Sequence, residues 1–292
     1  MSRSAKSLRS PVADFLVPEG FAGPRGLRAL AREASVVTEA VAYRRRAVAT
    51  LAHHRATPYA ERRDRHTVND PVLLVPGFMA GDWTLALMSR HLRLLGFRTY
   101  RSGIVANIGC IDEGTQALER RLEHIAARRE RKVTIVGHSL GGMMARGLAA
   151  RRPDLVAGIV TMGSPIMAPG AAHTGLLAMV ATLKRLEALG LHVMGQDCTE
   201  GGCALRMWEE SRLPLPEGFP FTAIYSPRDG IADWRACIDP AGQAREVRTS
   251  HVGMALDPVV IDLVTETLAA IHNQPLEARL LGRLQDHERR AG

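Results

Sequence analysis

Between Lys132 and Ala150 the chain reads KVTIVGHSLGGMMARGLAA. An apolar run ends in a serine boxed by glycines, and a helical pattern begins at the next residue. This requires a strand that turns into a helix across one corner. Gly137 and Gly141 lack the Cβ atoms that would clash there, so Ser139 is expected on a strained turn with its hydroxyl raised above the sheet. The first N–H groups of the helix point at the same spot, which suits a developing negative charge. Five residues of the form G-x-S-x-G recur by chance. The strand before and the helix after give this one its specificity against a glycine-rich turn with an idle serine.

From Pro71 onward the chain alternates in the same way. PVLLVPGF, FRTYRS, KVTIVGHS, LVAGIVTMGSP, PFTAIYS and AREVRTS read as six strands. WTLALMSRHLRLLG, EGTQALERRLEHIAARRER, the stretch from Leu140 to about Arg152, and PVVIDLVTETLAAI read as helices. Strands apolar on both faces predict an α/β fold, a mostly parallel sheet with helices on both faces. In such an open sheet the site lies at the carboxyl ends of the strands. Residues 71–292 are expected to form this catalytic domain, with a small cap-like insertion over about 165–218. Residues 1–70 lack strand alternation and predict a basic, amphipathic helical extension, with a charged linker, YAERRDRHTVNDP, before Pro71.

A serine hydroxyl needs a base, and the base needs an orienting acid. After an elbow of this kind they follow in the order acid, then histidine. Of the eleven histidines, His53 and His54 lie in the basic extension, and His91 and His124 are spaced as helix-surface residues. His138 is expected to point away from the turn. His251, in VRTSHVGMALDP, follows the last strand and is the candidate base. AIYSPRDGIADW offers two acids just past a strand end: Asp229, in the first turn, and Asp233, placed to cap a short helix near Ala232. Asp229 is the candidate acid. The backbone N–H groups of Leu140 and of Phe78, in the loop after VLLVPGF, are the candidate oxyanion donors.

The formal net charge is +8, and residues 1–70 carry 13 Lys plus Arg against 7 Asp plus Glu, or +6 of it. This can be a solvated arginine face or a patch for anionic lipid. No aromatic residues interleave with the arginines as a nucleic-acid stacking platform requires, so no nucleic-acid partner is expected. There is no apolar signal region, and GLLAMVATLKRLEALGLHVM is interrupted by Lys184, Arg185 and Glu187. A cytoplasmic protein is the expectation, with a peripheral membrane contact left open. The four cysteines, Cys110, Cys198, Cys203 and Cys237, include no C-x2-C pair. CTEGGC allows Cys198 and Cys203 to approach, but the sequence does not choose among pairings. No metal-ligand arrangement or nucleotide loop is legible in the sequence, so no metal and no cofactor are expected.

With these residues assembled, the chain from about Pro71 to Ile271 resembles the α/β-hydrolase superfamily, and within it the small bacterial lipases and esterases with few cap elements. The resemblance rests on LLVPGF, IVGHSLGG, IVTMGSP, AIYSPRDGIADW and SHVGMALDP. It implies Ser139 as nucleophile, Asp229 as acid and His251 as base. Two departures stand out. The family usually has His-Gly where this chain has Pro76-Gly77, and the first 70 residues have no counterpart in the small lipases.

Leu176, Leu177, Val180, Leu183 and Leu191 in the cap segment offer an apolar surface that reads as an acyl-binding wall or as ordinary packing. The expected substrate is a small-molecule or lipid ester with an apolar acyl chain. An acyltransferase, thioesterase or amidase would use the same three residues, and a non-catalytic binding or membrane-associated protein on this fold is the reading from another class. Oligomeric state is not legible.

Overall fold

A computed structural model describes residues 14–56, 70–191, 194, 196–198 and 201–272. Residues 57–69, 273–292 and the first thirteen lie outside the described residues, and with them most of the expected linker and the end of the expected catalytic domain. At the centre is a six-stranded sheet built from β1 (Pro71–Val75), β2 (Arg98–Arg101), β3 (Val133–His138), β4 (Val156–Met162), β5 (Phe221–Tyr225) and β6 (Gln243–Glu246). The spatial order is β2-β1-β3-β4-β5-β6, and every neighbouring pair is parallel. After β1 the chain moves to one side to make β2, then returns to place β3 on the other side. The direction of winding therefore reverses between β1 and β3, and a crevice opens beyond their carboxyl ends.

Alternating side chains divide the core between the two faces. Leu73, Val75, Val133, Ile135 and Ile159 face Leu118, Leu122 and Ile125 of α4 (Ile111–Arg129) and Met144 and Leu148 of α5 (Leu140–Arg151). Val72, Leu74, Val136, Val160 and Met162 face Met88 and Leu92 of α3 (Ala86–Leu94) and Val260, Val264 and Leu268 of α8 (Pro258–Ile271). Each fully buried leucine or isoleucine contributes about 2–3 kcal/mol of transfer free energy. The expectation of strands apolar on both faces fails at β2 (RTYR) and β6 (QARE), and β6 is exposed along its length. These are the sheet's two edges, where charged side chains discourage pairing with another sheet.

The N-terminal helices α1 (Gly26–Glu33) and α2 (Val36–Ala56) are packed on this body. Tyr43 on α2 joins the core beside α8, and Arg46 grips the Asp262 carboxylate with both guanidinium nitrogens, each at 2.5 Å. Ahead of α1 the chain runs across the segment between β4 and β5. The Gly170 N–H donates to the Leu16 carbonyl at 2.9 Å, and the Ala22 N–H donates to Asp233 Oδ2 at 3.0 Å. Gly23 lies so close to the Ala172 backbone that no Cβ would fit.

The segment between β4 and β5 carries α6 (Thr174–Ala188) and α7 (Gly202–Glu210). No residue of α6 is buried, whereas α7 buries Cys203 and Ala204.

Arg146 on α5 fastens these parts together. Its Nε donates to Asp239 Oδ2 at 3.0 Å and its Nη2 donates to the Leu213 carbonyl at 2.8 Å, with side-chain exposures of 3% for Arg146 and 7% for Asp239. Removing one member of a buried pair strands the other charge, at a cost of about 3–5 kcal/mol. Arg146→Ala is therefore expected to lower the thermal midpoint by on the order of 10 °C. Arg46→Ala, which breaks a part-exposed pair worth at most about 1 kcal/mol, should shift it by a few degrees at most. Equal melting curves for the two variants would contradict this ranking.

Candidate active site

Ser139 joins β3 to α5 with φ 53° and ψ −122°, outside the ordinary regions for an L-residue. Crowding on every side enforces this conformation. A Cβ on Gly141 would fall inside the carbonyl oxygens of Val75 and Pro76, one on Gly137 would strike Gly141 and Gly142, and one on Gly142 would strike Ser164. The Ser139 N–H donates to the Met162 carbonyl at 2.8 Å, so the corner is tied to the end of β4.

The residue after Met162 is Gly163, at φ +57°, and a Cβ there would press on the rings and carboxylate of His251 and Asp229. His251 Nδ1 and Asp229 Oδ2 are 2.6 Å apart, and both side chains are almost wholly buried. The other carboxylate oxygen of Asp229 accepts the N–H groups of Ile231 and Ala232 at 2.8 and 2.7 Å. An acceptor-only carboxylate fixes the histidine tautomer: Nδ1 carries the proton and Nε2 is left as the basic nitrogen. Burial works against the charged imidazole of His251. The Asp229 charge, its hydrogen bond and the Glu33 charge outweigh burial and hold the pKa above its ordinary value. Asp233 has a separate task. It caps the turn Trp234–Cys237 through the Arg235 N–H at 3.1 Å and pairs with the Arg235 guanidinium at 2.7 Å.

His138 departs from expectation. Its ring lies tilted on that of His251 with centroids 5.0 Å apart, and its Nε2–H donates to the His251 carbonyl at 2.9 Å. Burial and the neighbouring His251 charge push its pKa down to about 4, so it stays neutral and supports the base as a hydrogen-bond donor.

Two acids from the N-terminal helices support the same loops, and sequence reasoning missed both. Glu33 Oε1 accepts the N–H groups of Gly230 at 2.8 Å and of His251 at 3.0 Å, and its Oε2 accepts that of Val252 at 3.0 Å. One carboxylate thus joins the loop holding Asp229 to the loop holding His251. Glu39 is buried and accepts the Ser250 N–H at 2.8 Å and the Ser250 hydroxyl at 2.6 Å. Gly253 makes room for it, since a Cβ there would overlap the carboxylate. Partners 211 and 218 residues apart leave no local signal.

The loop after β1 is clamped by Asn107. Its Nδ2 donates to the Pro76 carbonyl at 3.0 Å, its carbonyl accepts the Met79 N–H at 3.0 Å, and its N–H donates to Ala80 at 2.9 Å. Phe78, Ser139 and Leu140 all line one cavity of about 140 Å³. Leu176, Leu177 and Val180 line it as well, as does Leu16 from the N-terminal segment. Leu183 is not among the lining residues, and Leu191 is exposed. Both are farther along the cap, and α6 offers the cavity only its first turns.

A family model described as the alpha/beta hydrolase fold matches residues 126–189, the stretch that holds the elbow and β4. A triacylglycerol lipase of Burkholderia plantarii is 34% identical over 122 residues, 38% of this chain and 34% of that one. A triacylglycerol lipase of Pseudarthrobacter phenanthrenivorans is 35% identical over 106 residues, 32% of this chain and 33% of its own. The chain thus spans about a third of the length of these curated relatives. The crystal structure of a Bacillus licheniformis lipase superposes with a TM-score of 0.52 at 13% identity, covering 69% of this chain and 93% of that one. Together with the sheet order these similarities define an α/β-hydrolase fold resembling bacterial lipases and esterases.

Glu33→Gln keeps the shape of the carboxylate but removes its charge and one acceptor. The pKa of His251, followed by NMR of its ring, is expected above 6.5 in the parent chain and lower in the variant. Stability should fall by about 1.5–3 kcal/mol, the range for hydrogen bonds to a charged group. A His251 titration that does not move would show that Glu33 only holds the helix down.

Proposed function

We propose that the chain is a serine hydrolase of carboxylic esters with apolar acyl groups, working through an acyl-enzyme. The observation that carries this reading is the buried 2.6 Å bond between Asp229 and His251 at the same sheet end as the strained Ser139. In the proposed reaction His251 Nε2 takes the Ser139 hydroxyl proton as Oγ bonds to the ester carbonyl carbon. Asp229 stays ionised and stabilises the imidazolium that results. The carbonyl oxygen, now an oxyanion, is received by the N–H groups of Phe78 and Leu140. Neither N–H is taken up by a backbone carbonyl among the described residues. The tetrahedral species collapses as His251 returns the proton to the departing alcohol. Water then attacks the acyl carbon by the same exchange in reverse and frees the acid. The triacylglycerol lipase relatives support an ester as substrate. A thioester, an amide or a second alcohol as acceptor would follow the same steps.

Hydrolysis of p-nitrophenyl esters from acetate to palmitate, with Ser139→Ala alongside, tests the proposal. Removing the nucleophile should lower turnover by about 10⁶-fold. The optimum is expected among the short acyl chains, because about 140 Å³ is well below the roughly 300–1,000 Å³ of a drug-sized pocket. Turnover that persists undiminished in the variant would place the chemistry elsewhere.

A peripheral contact with anionic membranes is compatible with this activity. It is favoured by the outer surface of α1 and α2, where Leu27 and Val37 are exposed at 84% and 65% beside exposed Arg28, Arg32, Arg44 and Arg45. Among the described residues no helix is long and apolar enough to cross a bilayer. Cosedimentation with anionic but not zwitterionic vesicles is expected, weakened in a Leu27→Ser, Val37→Ser double variant. Recovery of the parent chain wholly in the supernatant would remove this role.

A further inference from the structure

Beside the acyl cavity, and outside the triad, three cysteines meet. Cys110 caps the start of α4, Cys198 lies in the short turn Gln196–Cys198, and Cys203 is buried in the first turn of α7. All are free thiols, and their sulfur atoms lie within 4.8 Å of one another. Among the described residues they are the one group of three cysteine, histidine or acidic side chains able to share an ion. Cys110 is 93 residues from Cys203, so the sequence showed only the Cys198–Cys203 pair.

We propose that Cys110, Cys198 and Cys203 form a thiolate site for a soft divalent cation of the zinc and cadmium class. The Cys110 to Cys203 sulfur distance is 3.7 Å. Thiolates at about 2.3 Å from a tetrahedral zinc ion are about 3.8 Å from each other, so the pair already has the spacing of two ligands. The Cys198-x4-Cys203 segment has the separation common in ligand pairs, with the third ligand supplied from a distant element. The site also lies at the positive end of a helix. Its first N–H groups, those of Ile111 and Asp112 at the start of α4, lie beside Cys198 and Cys203. These donors favour sulfur in its anionic form.

Without a cation the three cysteines are free thiols, so each gives up its proton when it binds one. Binding one M²⁺ forms three M–S bonds and releases three protons to solvent. The resulting centre carries one negative charge, with a fourth position open to water. Affinity therefore rises with pH. Cys198 and its neighbours Ile111 and Met207 also line the acyl cavity. A bound ion would pin the turn Gln196–Cys198 and α7 to α4 and stiffen that wall. The remaining cysteine, Cys237, is buried elsewhere in the turn Trp234–Cys237 and provides an internal control.

The test uses the full-length chain, reduced and freed of metal, titrated with Cd²⁺ while the ultraviolet thiolate-to-cadmium charge-transfer band is recorded. This readout is independent of ester turnover, so its failure and that of the hydrolase reading are distinguishable. One ion per chain is expected, with proton release and tighter binding at higher pH. Cys110→Ser, at a half-buried position, should weaken binding by more than about 100-fold, the upper end for losing a group that merely supports a ligand. Cys203→Ser should do the same, and Cys237→Ser should bind as the parent does. Far-UV circular dichroism confirms that each variant is folded. The proposal is overturned if no saturable band appears, or if Cys110→Ser binds as tightly as the parent. It is also overturned if the chain as isolated holds two of the three thiols in a disulfide and binds no ion after reduction.

Discussion

The corner between β3 and α5 leaves no room for a side chain at three of its glycines, and the rest of the site is arranged around it. Four chain segments converge there: the loop after β1 through Val75 and Pro76, the end of β3, the start of α5, and Ser164 after β4. No side chain larger than hydrogen fits at Gly137, Gly141 or Gly142. The positive φ of Ser139 follows from this convergence. A strained residue persists only where its surroundings over-determine it. Here the surroundings are the three central strands, whose carboxyl ends cannot separate without emptying the two cores beneath them. The switch in winding direction between β1 and β3 provides the space above. Strain, crevice and helix N-terminus are thus consequences of one topology.

Asp229 and His251 lie on loops rather than strands, and loops need other means of support. Glu33 and Glu39 provide it from outside the α/β body. A carboxylate suits this task because one group accepts several backbone N–H donors that would otherwise be unpaired in a half-buried loop. Glu33 also adds to the field that favours the protonated form of His251. The basic character of the first 70 residues therefore conceals an acidic inner surface. Arg28, Arg32, Arg44 and Arg45 face solvent while the two glutamates turn toward the loops that carry Asp229 and His251.

How far the sequence could be read follows from the range of each interaction. The elbow, the central strands and α8 were legible because strand and helix periodicity, Gly placement and the Asp257-Pro258 cap are local signals. Asp233 was legible as a cap because it stands just before a short helix. The edge strands were misjudged on their faces, since exposure at an edge depends on what fails to pair there. His138 was misread because alternation along a strand says nothing about a loop that folds back from 113 residues away. Leu183 shares the apolar pattern of α6, but the cavity takes only Leu176, Leu177 and Val180 from that helix.

The cavity wall itself is of uneven strength. On one side are Phe78 and Leu140, held by Asn107 and by the elbow. On the other are Leu176, Leu177 and Val180, from a helix that buries none of its residues. Local stability follows buried contacts, so α6 belongs to the part of the fold that opens at least cost. Its main apolar anchor is Leu177, which packs in a small cluster with Leu16, Phe15, Ala204 and Trp208. Leu16 belongs to the N-terminal segment, and Ala204 to the helix that carries Cys203. Any movement of α6 that admits a longer acyl chain must loosen this cluster. The N-terminal segment thus supports both sides of the site, through the glutamates that hold the Asp229 and His251 loops and through Leu16, which packs with Leu177 of α6.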